Sequence, residues 1–223
     1  MKRLLEIAVF SEESASVAIE YGADRLELCT DYRAGGISPK LDLVKRVRKL
    51  FQGPLHVIVR PRGGDFFYTT AEVSVMQEYI LSCKQLQVDG FVLGALTASE
   101  KIDWAVCEVL RQAAGDLTCT FHRAFDRLAD KRAALQELIT NGFEKVLTSG
   151  GAPTALEGLS VLTELQLEFG KSITLMPGGG IRSFNAKKLL ETGCQEFHSA
   201  ACGVIPGEVD SDELIMLRKI FNK

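Results

Sequence analysis

Four side chains of the types that carry protons at neutral pH stand where apolar runs give way to loops: Glu27, His122, Asp126 and His198. An imidazole titrates near neutrality and a carboxyl can be shifted toward it, so the set reads as a proton-transfer centre. Groups suited to anions lie beside it. The stretch RPRGGDFFY, Arg60 to Tyr68, closes the run Leu55–Val59 and sets Arg60 and Arg62 two residues apart, with Pro61 keeping Arg60 extended. Asp65 follows, placed to orient an arginine or to cap the next segment. Arg123 stands next to His122, and Ser149 precedes Gly150-Gly151. Guanidinium forks match carboxylate and phosphate, so Arg60, Arg62 and Arg123 are expected to clamp an anion. The turn Gly178-Gly179-Gly180 offers backbone N–H groups to a phosphate.

Each feature also has a structural reading. Glu27 can form a buried ion pair with Arg60 or Arg62, the two histidines can be satisfied core residues, and the glycine run can be a tight turn. Phe66, Phe67 and Tyr68 can roof a pocket or cover a helix end. His56, in mid-strand, is expected to be structural. The six cysteines contain no C-x-x-C pair, which signals neither a disulfide framework nor a zinc knuckle. Cys29 and Cys202 fall at or just after strand ends with Met176 nearby, and Cu(I) prefers thiolate and thioether donors. A Cu(I) site at Cys29 and Cys202 is therefore one expectation. Cys83 and Cys107 lie on helices and Cys194 at the opposite end, away from it.

The elements that must position these residues alternate along the whole chain. Strands are expected at 4–9, 25–29, 55–60, 90–94, 118–123, 145–149, 173–176 and 196–199. Amphipathic helices are expected at 39–51, 71–86, 102–114, 131–140 and 154–169. Glycines near 22, 90, 142 and 193 close helices and launch the even strands. Eight βα units without a linker predict one domain over residues 1–223, an α/β chain folded as a single (βα)8 TIM barrel. An open doubly wound sheet is the runner-up, and the absence of G-x-G-x-x-G after the first strand counts against it. In a barrel the carboxyl ends of the strands bind ligands, which is where the polar residues gather. On the second strand Leu26 and Leu28 share one face, leaving Arg25, Glu27 and Cys29 for the interior.

At 223 residues with a formal net charge of −3 and a pI near 5.7, the chain has no basic field for a nucleic acid. No apolar run approaches a membrane span, and Glu6, Glu12 and Glu13 break the pattern of a signal peptide. A cytoplasmic protein with a small anionic ligand is expected, with no nucleic acid and no membrane as partner.

The strings GADRLELC (22–29), VIVRPRGGDFFYT (57–69), TFHRAFD (120–126), LTSGG (147–151), PGGGI (177–181) and EFHSA (196–200) resemble the CutC, or copper homeostasis, family, in order through nearly the whole chain. The resemblance implies a cytoplasmic (βα)8 barrel, commonly a homo-oligomer, tied to copper tolerance or Cu(I) binding. It carries over to Glu27, Cys29, Arg60, Arg62, Asp65, His122, Arg123, Asp126 and His198. The segment 201–210 is shorter than in many members, which bears on how a pocket there closes. Two functions stand: a copper homeostasis protein binding Cu(I), and a lyase- or isomerase-like enzyme moving protons on a small phosphorylated or carboxylated metabolite. A third reading is an oligomeric scaffold without catalysis.

Overall fold

The computed structural model describes residues 3–222, in which eight strands alternate with eight α-helices. The strands are β1 (Leu4–Val9), β2 (Arg25–Leu28), β3 (Leu55–Ile58), β4 (Gly90–Leu93), β5 (Thr118–Phe121), β6 (Lys145–Thr148), β7 (Thr174–Pro177) and β8 (Glu196–Ser199). The helices are α1 (Glu12–Glu20), α2 (Leu41–Leu50), α3 (Thr70–Gln85), α4 (Trp104–Ala114), α5 (Lys131–Thr140), α6 (Leu159–Phe169), α7 (Ser183–Leu189) and α8 (Ser211–Phe221). Their starts are written locally. Ser11, Asp103, Asp130 and Asp210 each accept a first-turn N–H, and Thr69 with Glu72 forms a reciprocal capping box on α3.

All strand pairs are parallel, and the ladders run β7-β6-β5-β4-β3-β2-β1-β8. The ring is a nearly closed (βα)8 barrel, one domain, as the alternation predicts. At the seam β7 and β8 pack together without a ladder among the described residues. Pro177 at the end of β7 has no N–H to donate, which suits an edge position.

One face of each strand feeds the core between barrel and helices: Leu5, Ile7 and Val9 on β1, Leu26 and Leu28 on β2, Val57 and Val59 at β3. The opposite face turns inward and is polar for much of its depth, with Glu6, Arg25, Glu27, His56 and Thr120 all buried. Cys29, Ile58 and Val92 add a small apolar cluster, with Phe10 against it.

The element ends differ from the sequence reading in places. Gly22, Gly142 and Gly193 do turn left-handed just past their helices, but after α3 that part falls to Gln87, at φ 60°. Gly90 lies instead within β4, facing His56 across the ladder; a Cβ there would stand 2.7 Å from His56 Nε2 and 2.8 Å from the Thr118 carbonyl oxygen. Strand β5 ends at Phe121, because His122 Nδ1 accepts the Ala124 N–H and bends residues 123–127 into a 3-10 turn. Helix α6 begins at Leu159 rather than 154, after a run of turns. No helix of the described residues is long and apolar enough to cross a membrane.

Candidate active site

A cavity of about 340 Å³ opens over the carboxyl ends of the strands. Glu27, Arg60, His122, Arg123, Arg182 and His198 supply its ionisable wall, and Cys29, Phe66, Gly179 and Gly180 are among its other lining residues. Beneath it, His198 is the centre of a buried acid–base cluster. Its Nδ1 lies 2.7 Å from Glu6 Oε1 and 3.4 Å from Glu27 Oε2. Parallel register brings these groups together: Glu6 pairs with His198 across β1 and β8, and with Arg25 across β1 and β2. Arg25 Nε donates to Glu6 Oε2 at 2.5 Å, and its Nη2 donates to Glu196 Oε2 at 2.7 Å. Lys145 reaches the other oxygen of Glu196 at 2.6 Å.

This arrangement pushes the two acids of the cluster apart. Burial raises the Glu6 carboxyl, but the Arg25 charge and the His198 hydrogen bond outweigh it and hold Glu6 well below the usual carboxylate range. On Glu27 the Arg25 charge is only the weakest of several pulls. Burial, with the Glu6 charge beside it, pushes Glu27 up from 4.5 to about 7 despite the pull of His198. Burial disfavours the His198 cation, and the carboxylates of Glu27 and Glu6 more than compensate, so His198 is raised. One buried acid stays ionised while its neighbour takes up and releases protons near neutrality, the pattern that separates acid and base roles.

The other expected residues divide. His122 lines the cavity as a neutral imidazole: burial, with the charge of Arg60, lowers it to about 3. Its Nδ1 accepts the Ala124 N–H, which leaves the proton on Nε2, a buried donor with no partner among the described residues. Arg60 is 5 % exposed; its Nη1 donates to the carbonyls of Ala34 and Gly36, and its Nη2 to that of Gly64. Phe66 lies against both Arg60 and His122. Arg62 and Asp65 stand outside the cavity, paired at 3.0 Å, with Glu72 on the other side of Arg62 at 2.5 Å. The expected pairing of Glu27 with Arg60 or Arg62 is not formed, because these interactions occupy both guanidiniums and His198 stands nearest Glu27. Phe67 is exposed and Tyr68 buried, so of the three aromatics Phe66 alone lines the cavity.

Asp126 ties loops together and does not line the cavity. It accepts from Arg123 Nε (2.8 Å), Thr148 Oγ1 (2.5 Å), and the backbone N–H groups of Ser149 (3.0 Å) and Gly151 (3.1 Å). Ser149 Oγ is shared among Asp126, Arg123 and the Ala152 carbonyl. Gly178 donates its N–H to Thr148, whereas Gly179 and Gly180, with φ of 102° and 73°, bend the backbone along the cavity wall. The start of α7 beyond them is occupied, for Ser183 N–H and Oγ both donate to Glu213. His56 is buried and lowered to about 4 by its burial, in keeping with a structural part.

The two expected thiols are not brought to the same wall, since Cys29 lines the cavity and Cys202 does not. Burial and the neighbouring Glu27 and Glu6 carboxylates raise the Cys29 thiol well above 9.0. Cys202 lies outside the cavity, accepting the Gly207 N–H at 3.2 Å. Met176 meets Arg25 at 3.1 Å. The metal-capable trio among the described residues is Glu6, Glu27 and His198, which offers no sulfur and already holds the Arg25 cation. The segment 201–210 does not line the cavity; it packs on α1, where Ser14 bonds Gly207 and Val209.

Glu6, Arg25 and Arg182 were not among the expected site residues. The signal for Glu6 was present, since a glutamate in the middle of an otherwise apolar strand needs a buried partner. Arg182, directly after PGGGI, carried a weaker one.

The sequence profile of the CutC family matches residues 3–203. A human relative named copper homeostasis protein cutC homolog is 45% identical over 199 residues, covering 89% of this chain and 73% of that protein. A CutC family protein of Xanthomonas axonopodis pv. citri is 43% identical over 208 residues, covering 93% and 87%. Among solved structures, CutC from Streptococcus agalactiae superposes with a TM-score of 0.85 at 29% identity, over 89% of this chain and 98% of that one. Phosphoribosyl anthranilate isomerase from Thermotoga maritima reaches a TM-score of 0.65 at 14% identity, over 99% and 98% of the two chains, a likeness of fold alone.

Proposed function

The chain belongs to the CutC family, and we propose that this member is a proton-transferring enzyme, of isomerase or lyase type, acting on a small metabolite with a phosphate or carboxylate group. One observation carries the reading: a cavity-lining carboxyl raised to about 7, beside a histidine held from behind by a second, ionised carboxylate. In this reading Glu27 removes a proton from the ligand. His198, its Nδ1–H fixed on Glu6, gives a proton from Nε2 to the oxygen on which charge develops. The proton on Glu27 then returns to the ligand at a second atom while His198 Nε2 takes a proton back from the ligand oxygen, which restores both groups. His122 Nε2–H is a neutral donor on another part of the wall, and the arginines supply the attraction for the anion.

The test begins with a thermal-shift panel of phosphorylated and carboxylated metabolites. Stabilising compounds are then followed by proton NMR in D2O. Wild type is expected to exchange one carbon-bound hydrogen for deuterium, with the rate falling about 100-fold or more in Glu27→Gln and in His198→Asn. Stabilisation by none of the compounds, or undiminished exchange in Glu27→Gln, overturns the reading.

The name of the human relative concerns copper, and Cys29 is the one thiol facing the cavity. A role in copper homeostasis does not require the ion in the barrel, since an enzyme can influence copper tolerance through its product. Competition with a Cu(I) chelator is expected to give the same affinity for wild type and Cys29→Ser. A lower affinity in the variant restores the thiol to the account.

A further inference from the structure

The charges on the cavity wall are unbalanced in a particular geometry. Arg60, at the end of β3, is buried, and its hydrogen bonds are all to neutral backbone carbonyls. No carboxylate of the described residues forms an ion pair with it, and its Nε has no partner. Arg182, in the loop after β7, likewise has no acidic partner among the described residues, where its side chain bonds the Ile181 carbonyl. Both line the cavity. Arg123, in the 3-10 turn after β5, is paired with Asp126 through Nε, while its Nη1 lies toward the Gly179 backbone on the β7 side.

In a ring of eight strands β3 and β7 are four apart, so Arg60 and Arg182 face each other across the mouth. The arc between them through β2, β1 and β8 holds Glu27 and His198; the arc through β4, β5 and β6 holds His122. A buried guanidinium kept without a counter-ion is costly unless an anion arrives to complete it. A single anion cannot complete both walls.

We propose that the ligand is a two-ended diacid, a short metabolite with one acidic group facing Arg60 and a second facing Arg182 and Arg123, so that its central carbons lie over Glu27 and His198. This deepens the proton-transfer reading and rests on it. It also assigns Arg182, which lies outside the family motifs quoted above, as a specificity residue. The helix-terminus route to phosphate is closed here, because Glu213 already occupies the first turn of α7. The guanidiniums must therefore hold the second group. The same geometry sets ligand length: a molecule with one acidic end leaves one wall uncompensated whichever way it lies.

The experiment uses three matched probes by isothermal titration: 3-phosphoglycerate, with both ends charged, and glycerol 3-phosphate and glycerate, each with one. Wild type is expected to bind 3-phosphoglycerate about tenfold or more tighter than either partner. Arg182→Met, whose guanidinium has no structural ion pair to lose, is expected to abolish that advantage by weakening one of the single-ended probes. Arg60→Gln, which keeps amide donors for the loop carbonyls, is expected to weaken the other. Equal affinity of wild type for all three probes overturns the two-ended ligand and leaves proton transfer to the deuterium test. Loss of the same probe in both variants overturns the assignment of opposite ends. Binding of none of the three, with stabilisation by other anions that have one acidic end, also overturns it.

Discussion

Glu27 makes the cost of the site measurable at a single residue. Its unfolded-state value lies near 4.5 and its folded value near 7, so between those limits the folded chain keeps a proton that the unfolded chain has released. Stability attributable to Glu27 therefore falls as pH rises through that window, by about 1.4 kcal/mol per pH unit, and levels off above it. His122 and His56 run the other way. Their folded values, about 3 and about 4, lie below 6.5, so each loses stability as pH falls from 6.5. The wild-type profile mixes these limbs, and the difference between variants separates them. Glu27→Gln is expected to gain stability relative to wild type progressively from about pH 5 to pH 7, measured by urea unfolding. Parallel profiles would show that Glu27 titrates normally. The sequence made Glu27 legible as an inward carboxyl through the alternation of Leu26 and Leu28. It did not reveal the partner, because His198 lies 171 positions away and only parallel register delivers it.

At the level of elements, the barrel interior is tuned by what each strand withholds as much as by what it presents. Strand β4 opens with Gly90 because the neighbouring His56 imidazole and the Thr118 carbonyl occupy the space a side chain would take. Gly90→Ala is expected to cost about 1–3 kcal/mol in urea unfolding. The cost should shrink when His56 is also replaced by alanine, and an unchanged cost would assign the crowding to the Thr118 backbone instead. The same strand illustrates what periodicity conveys. Eight short apolar runs separated by amphipathic stretches specify eight βα units, since parallel strands buried on both faces and helices with one wet face leave different repeats. Local side-chain bonds then shift the ends. His122 is pulled out of β5 by its own bond to Ala124, and no repeat encodes that.

Across the whole molecule a single polar string threads the barrel: Lys145, Glu196, Arg25, Glu6, His198 and Glu27, linking β6, β8, β2 and β1. Layers of branched apolar side chains would fill the same space with less desolvation. The string exchanges that stability for a fixed protonation order at the cavity floor. Arg25 is its pivot, since it alone joins Glu6 to Glu196. Arg25→Met is expected to cost about 3–5 kcal/mol, because it leaves the buried Glu6 carboxylate, and the half-buried Glu196, without their guanidinium. Glu6 should then titrate upward, and His198 should lose the ionised acid behind its Nδ1. The double variant Arg25→Met/Glu6→Gln removes the orphaned charge next to the pivot, so it is expected to recover a large part of the stability but none of the proton transfer. Urea unfolding measures the first and deuterium exchange the second. A double variant as unstable as Arg25→Met would mean that the guanidinium acts through packing alone, whereas recovered stability with absent exchange identifies the string as a device that positions the acid–base pair.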